Sequence, residues 1–125
     1  GFNESLRGAV ELAGGRHHLI ALNDRIADGR DVSWIWDVDF ELLRDHADVV
    51  VPSGERAQDM AIRLKHGGVV SSLAPEPDLG PALDILIGHM PPGAEAYLLC
   101  TYTAMLDLRA ELVRRGWARP YWAAG

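Results

Sequence analysis

The 125-residue chain holds one cysteine, Cys100, so no disulfide can form within it and a reducing cytoplasm suits it. Long apolar runs are missing as well. The longest, at 47–52 and 96–100, fall far short of the roughly 20 residues a membrane helix needs. There is no excess of basic charge: 12 Lys and Arg against 18 Asp and Glu give a formal charge of -6. Such a balance repels a phosphate backbone and excludes the counterion release that drives nucleic-acid binding. Neither G-x-G-x-x-G nor G-x-x-x-x-G-K-[ST] occurs, which removes the two commonest phosphate cradles. No basic segment followed by an apolar stretch opens the chain, and "PYWAAG" at its end carries no obvious anchor. The expectation is a domain belonging to a longer polypeptide.

Metal chemistry lacks its ligand sets. His17 and His18 are neighbours that a strand would point to opposite faces, and His46, His66 and His89 sit near element ends. Asp24, Asp28 and Asp31 miss the register of a calcium loop and lack its closing Glu. Cys100 ends an apolar stretch with no histidine near it in sequence, as an inert core thiol would.

What is present is an alternation. About half the residues are apolar, enough for one domain over 1–125 with its own core. Phe2, Leu6, Ala9, Val10 and Ala13 recur at helical spacing up to Gly14-Gly15. "HHLIALN" at 17–23 and "ADVVVP" at 47–52 read as strands buried on both faces. Between them, 38–44 has a short helical pattern. Ser53 is expected to cap a helix carrying Ala57, Met60, Ala61 and Leu64 and stopped by Gly67-Gly68, although "PSGER" could instead hold an anion at that helix start with Arg56 assisting. A brief strand is expected at 69–71, then a helix capped by Asp78 and carrying Leu79, Ala82, Leu83, Leu86 and Ile87. "AEAYLLC" follows the turn at Pro91-Pro92-Gly93, and Thr101 or Thr103 caps a last helix ending at Gly116. Strands alternating with amphipathic helices predict an α/β fold, a Rossmann-like parallel sheet of about four to six strands with helices on both faces.

In such sheets ligands and partners meet the carboxyl ends of the strands. Those ends carry Asn23, Asp24, Ser53, Ser71, Thr101, Tyr102 and Thr103. From the first of them leaves "NDRIADGRDVSWIWDVDFE", six acidic residues and two tryptophans at 23–41. At about 13 residues the connection exceeds the usual two to six, and long connections of this kind tend to be functional. Asp37 stands where it could cap the following helical turn, yet Trp34 and Trp36 beside it suggest a surface covered by something else, with one indole anchored in the core and the other at an interface. Asp28 reads as a loop carboxylate fixing a turn around Gly29.

The stretches "ALNDRIADGRDVSWIWDVDFE", "SGERAQDMAIRLKHGG" and "TYTAMLDLRAEL", in this order, resemble the C-terminal domain of the Mur-ligase-like subunit of lipid II isoglutaminyl synthase, the MurT family. The resemblance runs from "GFNE" to about Gly116. It implies a Mur ligase C-terminal-type fold and a division of labour in the cytoplasm at the inner face of the bacterial membrane. The full subunit would use ATP and Mg2+ to activate the α-carboxyl of D-glutamate in the lipid II stem peptide. A separate glutaminase subunit, GatD, would release ammonia from glutamine. ATP, and the zinc of a central domain, would be held outside this stretch, so the domain alone would bind no cofactor and catalyse nothing. The resemblance further implies a heterodimer in which the glutaminase brings the Cys and His of its triad and the Mur-like partner donates the Asp, here Asp37 with Asp31 as the alternative. Trp34, Trp36, Asp28 and Arg30 would then lie at the partner interface, and Asn23, Asp24, Thr101, Tyr102 and Thr103 would face the substrate and nucleotide cleft. Two other readings stay open: a stand-alone small-molecule enzyme with Asp31 or Asp37 as general base, and a purely structural domain that closes over ATP.

Overall fold

Apolar side chains on both faces of a strand leave it only one stable place, the middle of a covered sheet. The computed structural model, which describes residues 1–119, puts β1 (His17–Ala21) there, every residue buried. It pairs in parallel with β2 (Val49–Ser53) on one side and β3 (Ala96–Cys100) on the other, in the order β2-β1-β3. Ala21, at the carboxyl end, lies level with Ser53 and Cys100. Parallel neighbours require crossovers, and these supply the helices. "PYWAAG" lies outside the described residues.

One face of the sheet is covered by α1 (Phe2–Arg7), by the segment after β1 and by α2 (Ala57–His66). There Ile20, Leu22 and Val50 meet Leu6, Val10, Ile35, Phe40, Leu43, Met60 and Leu64. The other face is covered by α3 (Leu79–Gly88) and α4 (Tyr102–Arg114), with Leu19, Ala21, Val49 and Val51 against Ala82, Leu83, Leu86, Ala104 and Leu108. Each fully buried Leu, Ile or Phe contributes roughly 1.5–3 kcal/mol, so the strict alternation of Leu19/Ala21 with Ile20/Leu22 fixes which face of β1 each layer covers. Among the described residues no helix is long and apolar enough to cross a membrane.

Four local expectations need correction. The sheet has three strands rather than four to six. The strand expected at 69–71 does not form: the backbone beside β2 touches it only at Val50–Ser72 and Ser53–Glu76. Val70 and Ser71 lie instead in a turn closed by the bond from the Ser72 amide to the Val69 carbonyl, and Pro75 and Pro77, without amide protons, keep the following stretch from extending the ladder. Helix one is α-helical only to Arg7 and continues as a π turn, Gly8–Leu12. The short helical pattern at 38–44 forms only a 3-10 turn, Phe40–Leu43, and a second such turn, Ser33–Asp37, precedes it.

Ser53, finally, is not a helix cap. It is the last residue of β2, its hydroxyl is buried without a partner among the described residues, and α2 begins four residues later, at Ala57 behind Arg56. Gly54 explains the delay. It turns the chain at φ +89°, and a Cβ there would lie 2.6 Å from the Leu22 backbone. No side chain fits. Gly29 has a similar φ of +87° but open space around it. Gly29→Ala is therefore expected to cost only backbone strain, about 1–2 kcal/mol, and Gly54→Ala about 3–4 kcal/mol because the clash adds to it. Urea unfolding of both variants checks this, and equal losses would show that the Leu22 contact relaxes freely.

Candidate functional site

The carboxyl edge of the sheet is tied together by Asn23, only 2% exposed. Its backbone amide donates to the Thr101 hydroxyl at 2.9 Å and its side-chain amide to the Thr103 hydroxyl at 3.0 Å, while its side-chain carbonyl accepts from the Glu55 amide at 3.0 Å. The Thr103 hydroxyl in turn donates to Asp28, whose other oxygen accepts the Thr103 amide at 2.7 Å. Thr101 occupies the N-cap position of α4 without a capping bond of its own, and the Thr103 amide at the start of that helix is served by Asp28, a residue from the first crossover. Negative charge at a helix N-terminus is favourable in its own right.

Beside this knot opens a cleft of about 370 Å³ lined by Arg25, Glu55, Pro77, Asp78, Asp107 and Glu111, among others. Its one cation, Arg25, is already paired with Glu55 at 3.1 Å and Asp107 at 3.0 Å. Four carboxylates around a neutralised arginine do not fit a triphosphate. "PSGER" fits an anion no better, because Arg56 is held by Asp59 at 2.7 Å and Asp24 at 3.1 Å. Tyr102 is exposed. Cys100 is half-buried, and burial pushes its thiol up to about 11, away from any nucleophilic role near neutral pH.

The tryptophan-bearing segment is held on the opposite side of α2's start. Trp34 turns inward, its ring 5.2 Å from Phe2. Trp36 is 46% exposed and lies edge-on to His66 at 5.1 Å. Between them Ile35 is buried. Arg30, Asp31, Ser33 and Trp36 line a shallow depression together with Arg56 and Asp59.

Of the six acidic side chains at 23–41, five are occupied within the domain. Asp24 meets Arg56, Asp28 meets Thr103, Asp39 meets Arg7 at 2.9 Å, and Glu41 meets Arg63 at 2.8 Å. Asp31 closes a turn, accepting from the Ser33 amide at 2.9 Å and hydroxyl at 3.0 Å, bonds that hold its carboxyl below the ordinary range. Asp37 is the sixth. It is exposed at the end of the Ser33–Asp37 turn, and among the described residues its carboxylate accepts no hydrogen bond. The N-cap role considered for it from the sequence is not the one it has.

Arg63 is the functional-looking residue that sequence reasoning passed over. It is 3% exposed, on the α2 face that also buries Met60 and Leu64. Its Nε donates to the Ile35 carbonyl at 2.9 Å and its Nη2 to the Val38 carbonyl at 2.8 Å, and Glu41 takes the remaining fork at 2.8 and 3.0 Å. The signal was available: an arginine in phase with the apolar stripe of a helix must find acceptors inside.

Fold and site together define an α/β domain of the Mur-ligase C-terminal type that presents one unpaired carboxylate on a fixed turn. The family model described as MurT ligase C-terminal matches residues 1–105, and the chain belongs to that family. It is 40% identical over 80 residues to the lipid II isoglutaminyl synthase (glutamine-hydrolyzing) subunit MurT of Staphylococcus aureus strain COL, covering 63% of this chain and 18% of that protein. To the subunit of the same name from Streptococcus pneumoniae strain ATCC BAA-255 / R6 it is 37% identical over 99 residues, 77% of this chain and 22% of that protein. The chain thus spans about a fifth of the length of these relatives.

Asp28 gives a pH-dependent test of the knot. Partial burial pushes its carboxyl up, but the Thr103 hydroxyl and amide, the Arg25 amide and the Arg25 charge together outweigh this, and it lies below its ordinary 3.8. A carboxylate depressed in the folded state stabilises above its unfolded value and loses that contribution as the pH falls through the folded one. Asp28→Asn should cost about 1–2 kcal/mol at neutral pH. The gap to the parent protein should narrow as urea unfolding is repeated from about pH 5 downward. A gap independent of pH would mean that the charge of Asp28 contributes nothing.

Proposed function

We propose that this domain is the part of a lipid II isoglutaminyl synthase that docks a separate glutaminase subunit and lends it the carboxylate of Asp37. The observation that carries the reading is the exception in the acidic segment: Asp37 is exposed and takes no hydrogen bond among the described residues, while its five acidic neighbours are each engaged. The glutamine-hydrolyzing activity in the names of the Staphylococcus and Streptococcus relatives supplies the chemistry that such a carboxylate would serve.

In a Cys-His-Asp triad the carboxylate accepts the Nδ1–H of the histidine, holds the correct tautomer and stabilises the imidazolium formed when the thiol loses its proton. An acceptor with both oxygens open at a protein surface suits an imidazole arriving on another chain. The half-exposed Trp36 beside it would cover that contact, as aromatic anchors do around a desolvated polar centre. Asp31 suits the role less well, because Ser33 already takes both of its oxygens. Ammonia release would then depend on assembly of the two subunits, since neither chain alone holds the whole triad.

The remaining parts of the reaction fall to the longer subunit and its partner. ATP and Mg2+ would activate the D-glutamate carboxyl of lipid II outside this domain, at the cytoplasmic face of the membrane. Here the domain contributes position and one carboxylate, and no chemistry by itself.

Glutamine hydrolysis by the complex of full-length subunit and glutaminase is the test. Asp37→Asn, which keeps the shape and removes the charge, should lower kcat by about 10^3- to 10^4-fold while the two subunits still co-elute. Hydrolysis at the parental rate would remove Asp37 from the triad and turn attention to Asp31→Asn. Turnover of glutamine by the isolated domain would overturn the division of labour altogether.

A further inference from the structure

Resting on the reading of Asp37 as the triad carboxylate, we propose that Arg63 is a positioning residue for glutamine hydrolysis, fixing Asp37 by gripping the backbone on either side of it. The two carbonyls that Arg63 holds belong to Ile35 and Val38, and Asp37 lies between them. Both carbonyls are reached by one planar group, so the peptide units between Ile35 and Trp36 and between Val38 and Asp39, which bracket Asp37, cannot rotate independently. Glu41 accepts the rest of the fork and fixes the plane of the guanidinium. The rings of Trp36 and Phe40 close over it, their centroids 5.4 and 5.5 Å from Cζ.

The turn needs this outside help. Its own closing bond, from the Val38 amide to the Ile35 carbonyl, is 3.4 Å long, and Asp37 itself is held by no side chain among the described residues. Without Arg63 the apolar side chains of Val32, Ile35, Val38 and Phe40 would still anchor the segment in the core, but nothing would fix the backbone carbonyls on either side of Asp37, and the carboxylate would sample several positions. A displacement of about 1 Å in a catalytic group can cost 10^2-fold in rate. Lysine cannot substitute: a single ammonium point charge lacks the fork that serves two carbonyls and a carboxylate in one plane.

The experiment uses the full-length subunit in complex with its glutaminase. Arg63→Lys should lower kcat for glutamine hydrolysis by about 10- to 100-fold and leave KM close to parental, because the glutamine site belongs to the partner. The decisive comparison is the double variant. If Arg63 acts through Asp37, Arg63→Lys adds no further loss to Asp37→Asn. A merely structural role would multiply both backgrounds by the same factor, and that result overturns the proposal. Glu41→Gln, at an exposed position, is the second variant should Arg63→Lys fail to fold. It should show a smaller loss of kcat that likewise disappears in the Asp37→Asn background. Asp37→Asn at the parental rate would remove the underlying reading, whereas a slow Asp37→Asn beside a fully active Arg63→Lys would remove the role of Arg63 alone.

Discussion

A buried guanidinium holds an irregular stretch of backbone against a helix, and the shape of this domain around its acidic segment depends on that contact. Strand and helix satisfy their own amides and carbonyls, but a run of 3-10 turns packed on a core cannot. The carbonyls of Ile35 and Val38 lie under Trp36 and Phe40, where water is largely excluded, and each would cost about 1–3 kcal/mol if left without a donor. Arg63 serves both. Its own charge would be costly in the interior, and the exposed Glu41 on the same segment offsets it. The arginine raises the apparent acidity of that carboxyl, holding Glu41 below its ordinary value. Helix and loop are thereby locked through one residue.

At the opposite end of the segment a second set of bonds consumes the place where many α/β domains hold their ligand. Asn23, Thr101, Thr103 and Asp28 join the ends of β1 and β3 and the first turn of α4, and the Gly54 turn brings the Glu55 amide into the same set. Polar groups committed to one another in this way have little capacity left for a substrate. The switch point of the sheet is used here to close the fold, and the unpartnered carboxylate of the acidic segment lies further along the crossover, at Asp37.

Much of this was legible in the sequence where a periodicity carried it. The parallel sheet, the two helical layers and the strands at His17–Ala21 and Val49–Ser53 follow from apolar runs alternating with amphipathic ones. Local rules failed where tertiary geometry took over. Ser53 is a preferred cap residue, but the backbone clash that makes Gly54 obligatory moves the helix start to Ala57. Thr101 stands at the cap position, but its hydroxyl accepts from the Asn23 amide, while Asp28, 75 residues away in the chain from Thr103, takes over. Sequence spacing cannot show a cap supplied from another crossover. Nor could it separate Asp31 from Asp37. Both are acidic, both flank the tryptophans, and the difference lies in which of them has a partner.

That difference carries an electrostatic argument. Exposed carboxylates at high density repel one another, and here Asp24, Asp39 and Glu41 are each matched with an arginine from another element. Asp28 and Asp31 are matched with hydrogen-bond donors. Three of the six charges are therefore offset by arginines and two are held by hydrogen-bond donors, and only at Asp37 is a carboxylate left to water, next to an exposed indole. Burying an unpaired carboxylate under a partner costs several kcal/mol, and an imidazole that donates to it recovers much of this only when aligned. A surface of this kind discriminates: an apolar partner would strand the charge, and a partner with a correctly placed histidine would complete it. On the proposed reading, docking and the assembly of a working triad would become one event, because the cost of burying Asp37 is offset only when the imidazole is aligned.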